Sequence, residues 1–187
     1  MTHQTRILVV GALTMDRLLY VHEYPKPDSK SSCTSYECGG GNAANTASCI
    51  GSLCFGSPLD CEIQLMSKVS SDQVGKRLCQ ELIDTNVNLS SPLFIRCEGK
   101  SSISTVIVTC DDSHTRTCIF DPGTIGTLNE LDFEAIDHDS LFDGVRLLHS
   151  DTRHTDAAVC LAREAKRRGI LISLDVERDR NSQAFLS

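Results

Sequence analysis

The chain has 187 residues, 40% of them hydrophobic and 23% charged, with a formal net charge of -7. That length carries one domain with a substantial core, and the composition is that of a folded globular chain rather than a disordered one. The acidic balance offers no footprint for nucleic acid or an anionic membrane, and no apolar run approaches the roughly 18 residues of a membrane-spanning helix.

Arg6 to Leu13 (RILVVGAL) is nearly all apolar, as in a parallel-sheet strand buried on both faces. The N-terminus lacks the cleavage context of a signal peptide. Between Asp16 and Cys38, strand-like runs are split by a turn at Pro25, Pro27 and Asp28. ECGGGNAANTA (Glu37 to Ala47) then sets glycines directly against a helix start. Glycine admits φ > 0 and lets a ligand approach the backbone. The first N–H groups of a helix lack internal partners and carry partial positive charge. Ala43, Ala44 and Ala47 allow close packing, and Asn45 places an amide one turn in. This chemistry suits a hydroxyl-rich or anionic small molecule. The competing reading is a helix packed tightly on the sheet with no ligand. The sequence holds no P-loop and no G-x-G-x-x-G, since Ala44 stands where the third glycine belongs.

Leu53 to Cys61 reads as a surface insertion and QLMSKV as a strand. Ser71 to Val87 reads as an amphipathic helix capped by Ser71, with Val74, Leu78, Leu82 and Ile83 on one face. Ser101 to Phe120 reads as a β-hairpin around the polar link DDSHT. These antiparallel pieces do not fit inside a parallel sheet and predict a small side sheet. Val145 to Asp151 and Ile170 to Val176 read as buried strands flanking a helix capped by Thr155, with an apolar stripe at Ala158, Leu161, Ala162 and Ala165. Lys166, Arg167 and Arg168 fall in its last turn and Gly169 after it, so the basic cluster is a helix end. Strand, helix and strand of this length make a right-handed βαβ unit.

None of the ten cysteines has C-x-x-C spacing, and Cys79 and Cys160 sit in apolar runs. They read as reduced thiols acting as small hydrophobes, which favours a reducing, cytoplasmic compartment over a metal or redox protein. His22, His114, His149 and His154 form no ligand pattern and read as structural, and no metal site is expected.

GGGNAANTA resembles the N-terminal signature of the PfkB (ribokinase-like) carbohydrate kinases, a Gly-Gly-x-x-x-Asn-x-Ala pattern falling here on Gly40, Gly41, Asn45 and Ala47. VVGALTMD is similar to the family's opening strand ending in Asp, here Asp16. SKVSSDQVGKRL resembles a segment with Asp and Gly three apart, here Asp72 and Gly75. TRTCIFDPGT resembles the lid strand and its exit, and LDVERDR the corresponding strand of ketohexokinase-type members. The resemblance implies a ribokinase-like α/β fold, with a mostly parallel central sheet, flanking helices and a small antiparallel β lid near residues 17–38 and 93–120. It implies ATP-dependent phosphorylation of a sugar hydroxyl, the sugar being a ketohexose, ribose or nucleoside-like.

On that resemblance, Asp16 accepts sugar hydroxyls, Gly40 and Gly41 give the sugar access to the backbone, and Asn45 bonds a hydroxyl. Asp151 and Arg153 line the same site; Asp175 and Glu177 are similarly placed but less firmly assigned. Competing readings are a strand-end turn residue for Asp16 and a surface turn with a local ion pair for Asp151 and Arg153. The lid would also make a homodimer contact. ATP and Mg2+ are expected for the complete family enzyme. The family's catalytic Gly-Ala-Gly-Asp helix start is absent from this sequence, so no catalytic or nucleotide-binding residue is assigned. The expectation is the sugar-side portion of one kinase domain, a fragment or truncated isoform inactive alone, with ILISLDV as an unpaired apolar edge. The alternative is a non-catalytic isoform that binds sugar or dimerises with a full-length partner through the lid.

Overall fold

A computed structural model describes residues 5–58, 61–110 and 115–176. His114 and Glu177 therefore lie outside the described residues. Thr5–Val10 (β1), Cys61–Ser70 (β4), Val87–Asn88 (β5), Phe94–Cys97 (β6), Val145–Ser150 (β9) and Leu171–Leu174 (β10) form the central sheet. Its order is β10-β9-β1-β4-β5, with β6 also on β4, and every pairing is parallel. The apolar runs expected to be parallel strands take those places. Residues 94–97 pair with the central sheet, so the hairpin of the side sheet begins only at Ile103.

Alternate residues of β1 and β4 point to opposite faces, as the two-residue strand period requires. Leu8, Val10 and Met66 pack with Leu148 under Thr155–Arg167 (α5), Glu130–Glu134 (α3) and His138–Phe142 (α4). Val9, Ile63 and Leu65 pack under Asn42–Cys54 (α1) and Gln73–Asp84 (α2). The result is a three-layer α/β sandwich with a core on each face of one sheet. Burying each large side chain contributes roughly 1.5–3 kcal/mol.

Thr14–Val21 (β2), Thr34–Gly40 (β3), Ile103–Thr109 (β7) and Arg116–Asp121 (β8) form a separate four-stranded sheet, ordered β3-β2-β7-β8. Both expected hairpins are present. The sheet is mixed rather than antiparallel, however, because β2 and β7 pair in parallel. Two hairpins from distant parts of the chain meet along their first strands.

Both helix caps differ from expectation. Asp72, not Ser71, caps α2 and accepts from Gly75 N at 2.7 Å. His154 occupies the N-cap of α5, while Thr155 is already helical and its hydroxyl donates to the Thr152 carbonyl. In α2, Leu78 and Leu82 are buried, but Ile83 is 51% exposed rather than part of the core face. β10 is an edge of the described sheet, and Leu171 is 72% exposed. The ten cysteines form no disulfide; six are half-buried, while Cys33, Cys49, Cys110 and Cys118 are exposed.

Leu148, fully buried on β9 against α5, is the most direct test of this packing. Leu148→Ala is expected to cost about 2–5 kcal/mol, read as a lower midpoint of urea unfolding at unchanged slope.

Candidate functional site

β1, β9 and β10 all finish at the same edge of the central sheet, where open α/β folds place their ligands. β1 runs into Gly11 and Ala12, β9 into Asp151, and β10 into Asp175. The start of α1 meets them there, delivered from the side sheet by β3. Asp151 is fully buried. Its Oδ2 accepts from Ala12 N at 2.8 Å and from Ala43 N at 3.0 Å, and its Oδ1 accepts from Arg153 N at 2.9 Å. Helix α1 has Gly41 at its N-cap and no side-chain cap of its own. Asp151 supplies the missing acceptor, and the Ala12 carbonyl takes Ala44 N at 3.3 Å. The anion at this helix start therefore belongs to the chain itself.

Gly11 follows from this arrangement: its φ is +149°, and a Cβ there would lie 1.9 Å from Asp151 Oδ1. Gly41 (φ +96°) leaves the sheet in a conformation that L residues rarely adopt, and a Cβ would lie 2.4 Å from the Ala12 carbonyl oxygen. Gly40 has a different reason. A Cβ at Gly40 would fall 2.3 Å from Asp16 Oδ2. The Asp16 carboxylate occupies the space that a side chain would fill. The missing Cβ atoms thus make room for Asp16 and for the first βα turn.

Asp16 lies on β2, partly buried, opposite Cys38 in the β2/β3 register. Burial raises its pKa above the ordinary carboxylate range. No described residue hydrogen-bonds its carboxylate. Asp16 and Asp151 are the opposite of each other: one is saturated by backbone amides, the other held in place and left open.

Asn45 stands one turn into α1 and is exposed, its N–H donating to the Gly41 carbonyl at 2.8 Å. Arg153 joins the corner through its backbone amide. The structure therefore brings Asp16, Gly40, Gly41, Asn45, Asp151 and Arg153 to one corner. It corrects the surface-turn reading of Asp151, which is interior. Asn42 is an addition: its Nδ2 donates to Asp175 Oδ2 at 3.2 Å, bridging the start of α1 to the exit of β10. An amide side chain in the first helical turn, directly after the glycines, was its only signal in the sequence.

Beneath the corner, His154 is 6% exposed and its Nδ1 has no hydrogen-bond partner. Burial drives its pKa down to about 4; Lys68 adds to that, while Asp151 and Asp132 oppose it. Lys68 itself pairs with Asp132 at 2.9 Å. Among the described residues no three His, Cys, Asp or Glu side chains converge as a metal site. Among the described residues no helix is long and apolar enough to cross a membrane.

Solved structures that share this central sheet and separate side sheet include ribokinases and fructokinases. Ribokinase from Arabidopsis thaliana, complexed with ribose and ATP, superposes with a TM-score of 0.72 at 17% identity, over 92% of this chain and 53% of that one. Ribokinase from Thermotoga maritima gives 0.68 at 17% identity, over 95% and 54%. Fructokinase with bound ATP from Xylella fastidiosa gives 0.65 at 19% identity, over 91% and 51%. The fold is ribokinase-like α/β. The sequence matches the model of the pfkB family carbohydrate kinases over residues 4–178, and the chain belongs to that family. No curated protein sequence matched it. The chain spans about half the length of the solved kinases that it resembles.

Two stability measurements test the corner. Asp151→Ala strands one buried backbone donor and two partly buried ones; a buried one costs about 1–3 kcal/mol, so urea unfolding should show a loss of at least about 1 kcal/mol. His154 tests the pH dependence. Its folded pKa lies below the unfolded value of 6.5, so the unfolded chain binds the extra proton between those values. Its contribution is complete above pH 6.5 and is lost as pH falls toward about 4. About 3 kcal/mol is at stake. His154→Gln should flatten that slope between pH 7.5 and 4.5.

Proposed function

We propose that this chain forms the sugar-binding side of an ATP-dependent carbohydrate kinase, with Asp16 as the principal hydroxyl acceptor. The open, partly buried Asp16 carboxylate over Gly40 carries this reading. A carboxylate accepts but does not donate, and its two oxygens suit a pair of vicinal hydroxyls. Retaining such a group where burial opposes its charge is unfavourable for folding, which is the mark of a site kept for a ligand.

Asn45, exposed in the first turns of α1, and Asn42 offer amides that both donate and accept toward a polyol. Gly40 and Gly41 act by shaping the corner, Gly40 by seating Asp16. Asp151 acts by positioning, since it fixes Ala12 and Ala43, and Arg153 lies beside it at the rim. ATP with Mg2+ is the expected phosphoryl donor of the complete family enzyme. The sequence has no Gly-Ala-Gly-Asp segment to supply the base and the anion hole. Ribose and a ketohexose are both retained as acceptors, and the ketohexokinase-type likeness of LDVERDR favours the second.

A second reading concerns association. Phe120 on β8, Tyr36 on β3 and Tyr20 on β2 share one face of the side sheet by register and are all 40% exposed or more. That apolar cover on the side sheet suits a homodimer or a mixed dimer with a full-length kinase. Analytical ultracentrifugation checks it: Phe120→Lys should shift a dimer to monomer.

Two assays test the sugar reading. In calorimetric titrations with fructose and ribose, Asp16→Ala should weaken binding about 10- to 100-fold, the effect of losing hydrogen bonds to a charged acceptor. The 187-residue chain with ATP, Mg2+ and either sugar should release no ADP above background.

A further inference from the structure

We propose that Asp72 is a positioning residue for the sugar corner. Through Ser101 it fixes the point where the side sheet leaves the central sheet, and with it the strand that carries Asp16.

The Asp72 carboxylate does more than cap α2. Oδ1 accepts Gly75 N at 2.7 Å and also the Ser101 hydroxyl at 2.7 Å, while Oδ2 accepts Ser101 N at 2.9 Å. Two of its three bonds thus leave the helix and reach a residue 29 positions away. Ser101 is 2% exposed and Asp72 half-buried, so this contact is partly shielded from water. Burial alone would raise the Asp72 pKa, but the amides and hydroxyls of Gly75, Ser101 and Ser70 outweigh it and hold the group below its ordinary value. The backbone of Asp72 is pinned as well: its N–H donates to Ser70 Oγ at 3.1 Å, and that hydroxyl donates to the Gly99 carbonyl at 2.5 Å. The adjacent Gly75 belongs to the same device, because a Cβ there would lie 1.9 Å from the Ser70 carbonyl oxygen.

Ser101 is the root of the side sheet. The next residue, Ser102, donates through its hydroxyl to the Leu13 carbonyl at 3.1 Å and accepts Met15 N at 3.1 Å. From there β7 runs beside β2 in parallel, placing Ser104 opposite Asp16. The returning strand β8 is tied to the same root, since Lys100 N donates to Thr124 Oγ1 at 2.8 Å and Thr124 N to the Lys100 carbonyl at 3.0 Å. The β7/β8 hairpin therefore emerges from the segment that Asp72 grips, and the β2/β3 hairpin is bonded to that segment through Leu13 and Met15. Loss of the grip frees the angle between Asp16 and the start of α1.

The geometry stands without a ligand; its consequence for sugar rests on the function proposed above. Hydrogen exchange by mass spectrometry on wild type, Ser101→Ala and Asp72→Ala separates the alternatives. In Ser101→Ala, exchange in residues 14–21 and 102–109 should rise about five- to tenfold, with α2 unchanged. In Asp72→Ala, the same segments and the first turn of α2 should both rise. If the side sheet is unchanged in Ser101→Ala and the effect of Asp72→Ala stays within α2, Asp72 is only a helix cap and the proposal is overturned. An equal rise in β9 and α5 would overturn it too, as general destabilisation. Should Asp72→Ala fail to fold, Ser101→Ala decides alone. Fructose and ribose titrations of the same proteins keep the two readings apart: absence of binding in wild type defeats the sugar reading, while the exchange pattern still decides the hinge.

Discussion

The structure depends most on one buried charge. Asp151 places a carboxylate at the sheet edge where no water reaches it, and three backbone amides satisfy it. Charge-assisted hydrogen bonds of this kind are about twice as strong as neutral ones. They are also directional, so they fix three chain segments relative to one another. The exit of β1, the start of α1 and the turn after β9 meet at that carboxylate. Gly11 must lack a side chain because the carboxylate fills its place, and α1 needs no capping residue because Asp151 serves from 108 residues away.

A rigid corner of this sort allows a second carboxylate to remain open. Asp16 sits on the neighbouring sheet, partly buried, with its ionised form disfavoured by that burial. Two acidic groups in one region thus have opposite environments, one saturated by backbone amides and the other without a hydrogen-bond partner among the described residues. The saturated one holds the frame, and the open one is free to accept hydroxyls. The Asp72 clamp lies between frame and platform and adds its polar contacts to an apolar core that itself continues from Val9 through Leu13 to Met15 and Ile103.

Much of this was legible in the sequence because its signals are local. Continuous apolar runs gave the parallel strands, prolines and polar links gave the hairpins, and GGGNAANTA gave the strand-to-helix corner. What failed was non-local. Ser71 and Asp72 are both good caps by type, and only the distant Ser101 decides between them. The parallel pairing of β2 with β7 leaves no trace in either segment. An Asp following a buried strand looks the same whether it faces solvent or accepts amides from remote loops, so the interior role of Asp151 was hidden. That the absent side chains of the glycines also make room for Asp16 and the first βα turn has no local signal in the sequence.

The pairing of β2 with β7 also bears on how the molecule assembles. Met15 sits opposite Ile103, and α1, β4 and α2 all lie between them in the chain. Closing so long a loop is entropically unfavourable until the intervening segments have condensed. The central sheet bears the same constraint, since its β1 pairs with β9 across a longer stretch still, Val10 standing opposite Ser150. Neither sheet is therefore completed from one end of the chain, and the strand that presents Asp16 gains its second neighbour only when a distant segment has joined it.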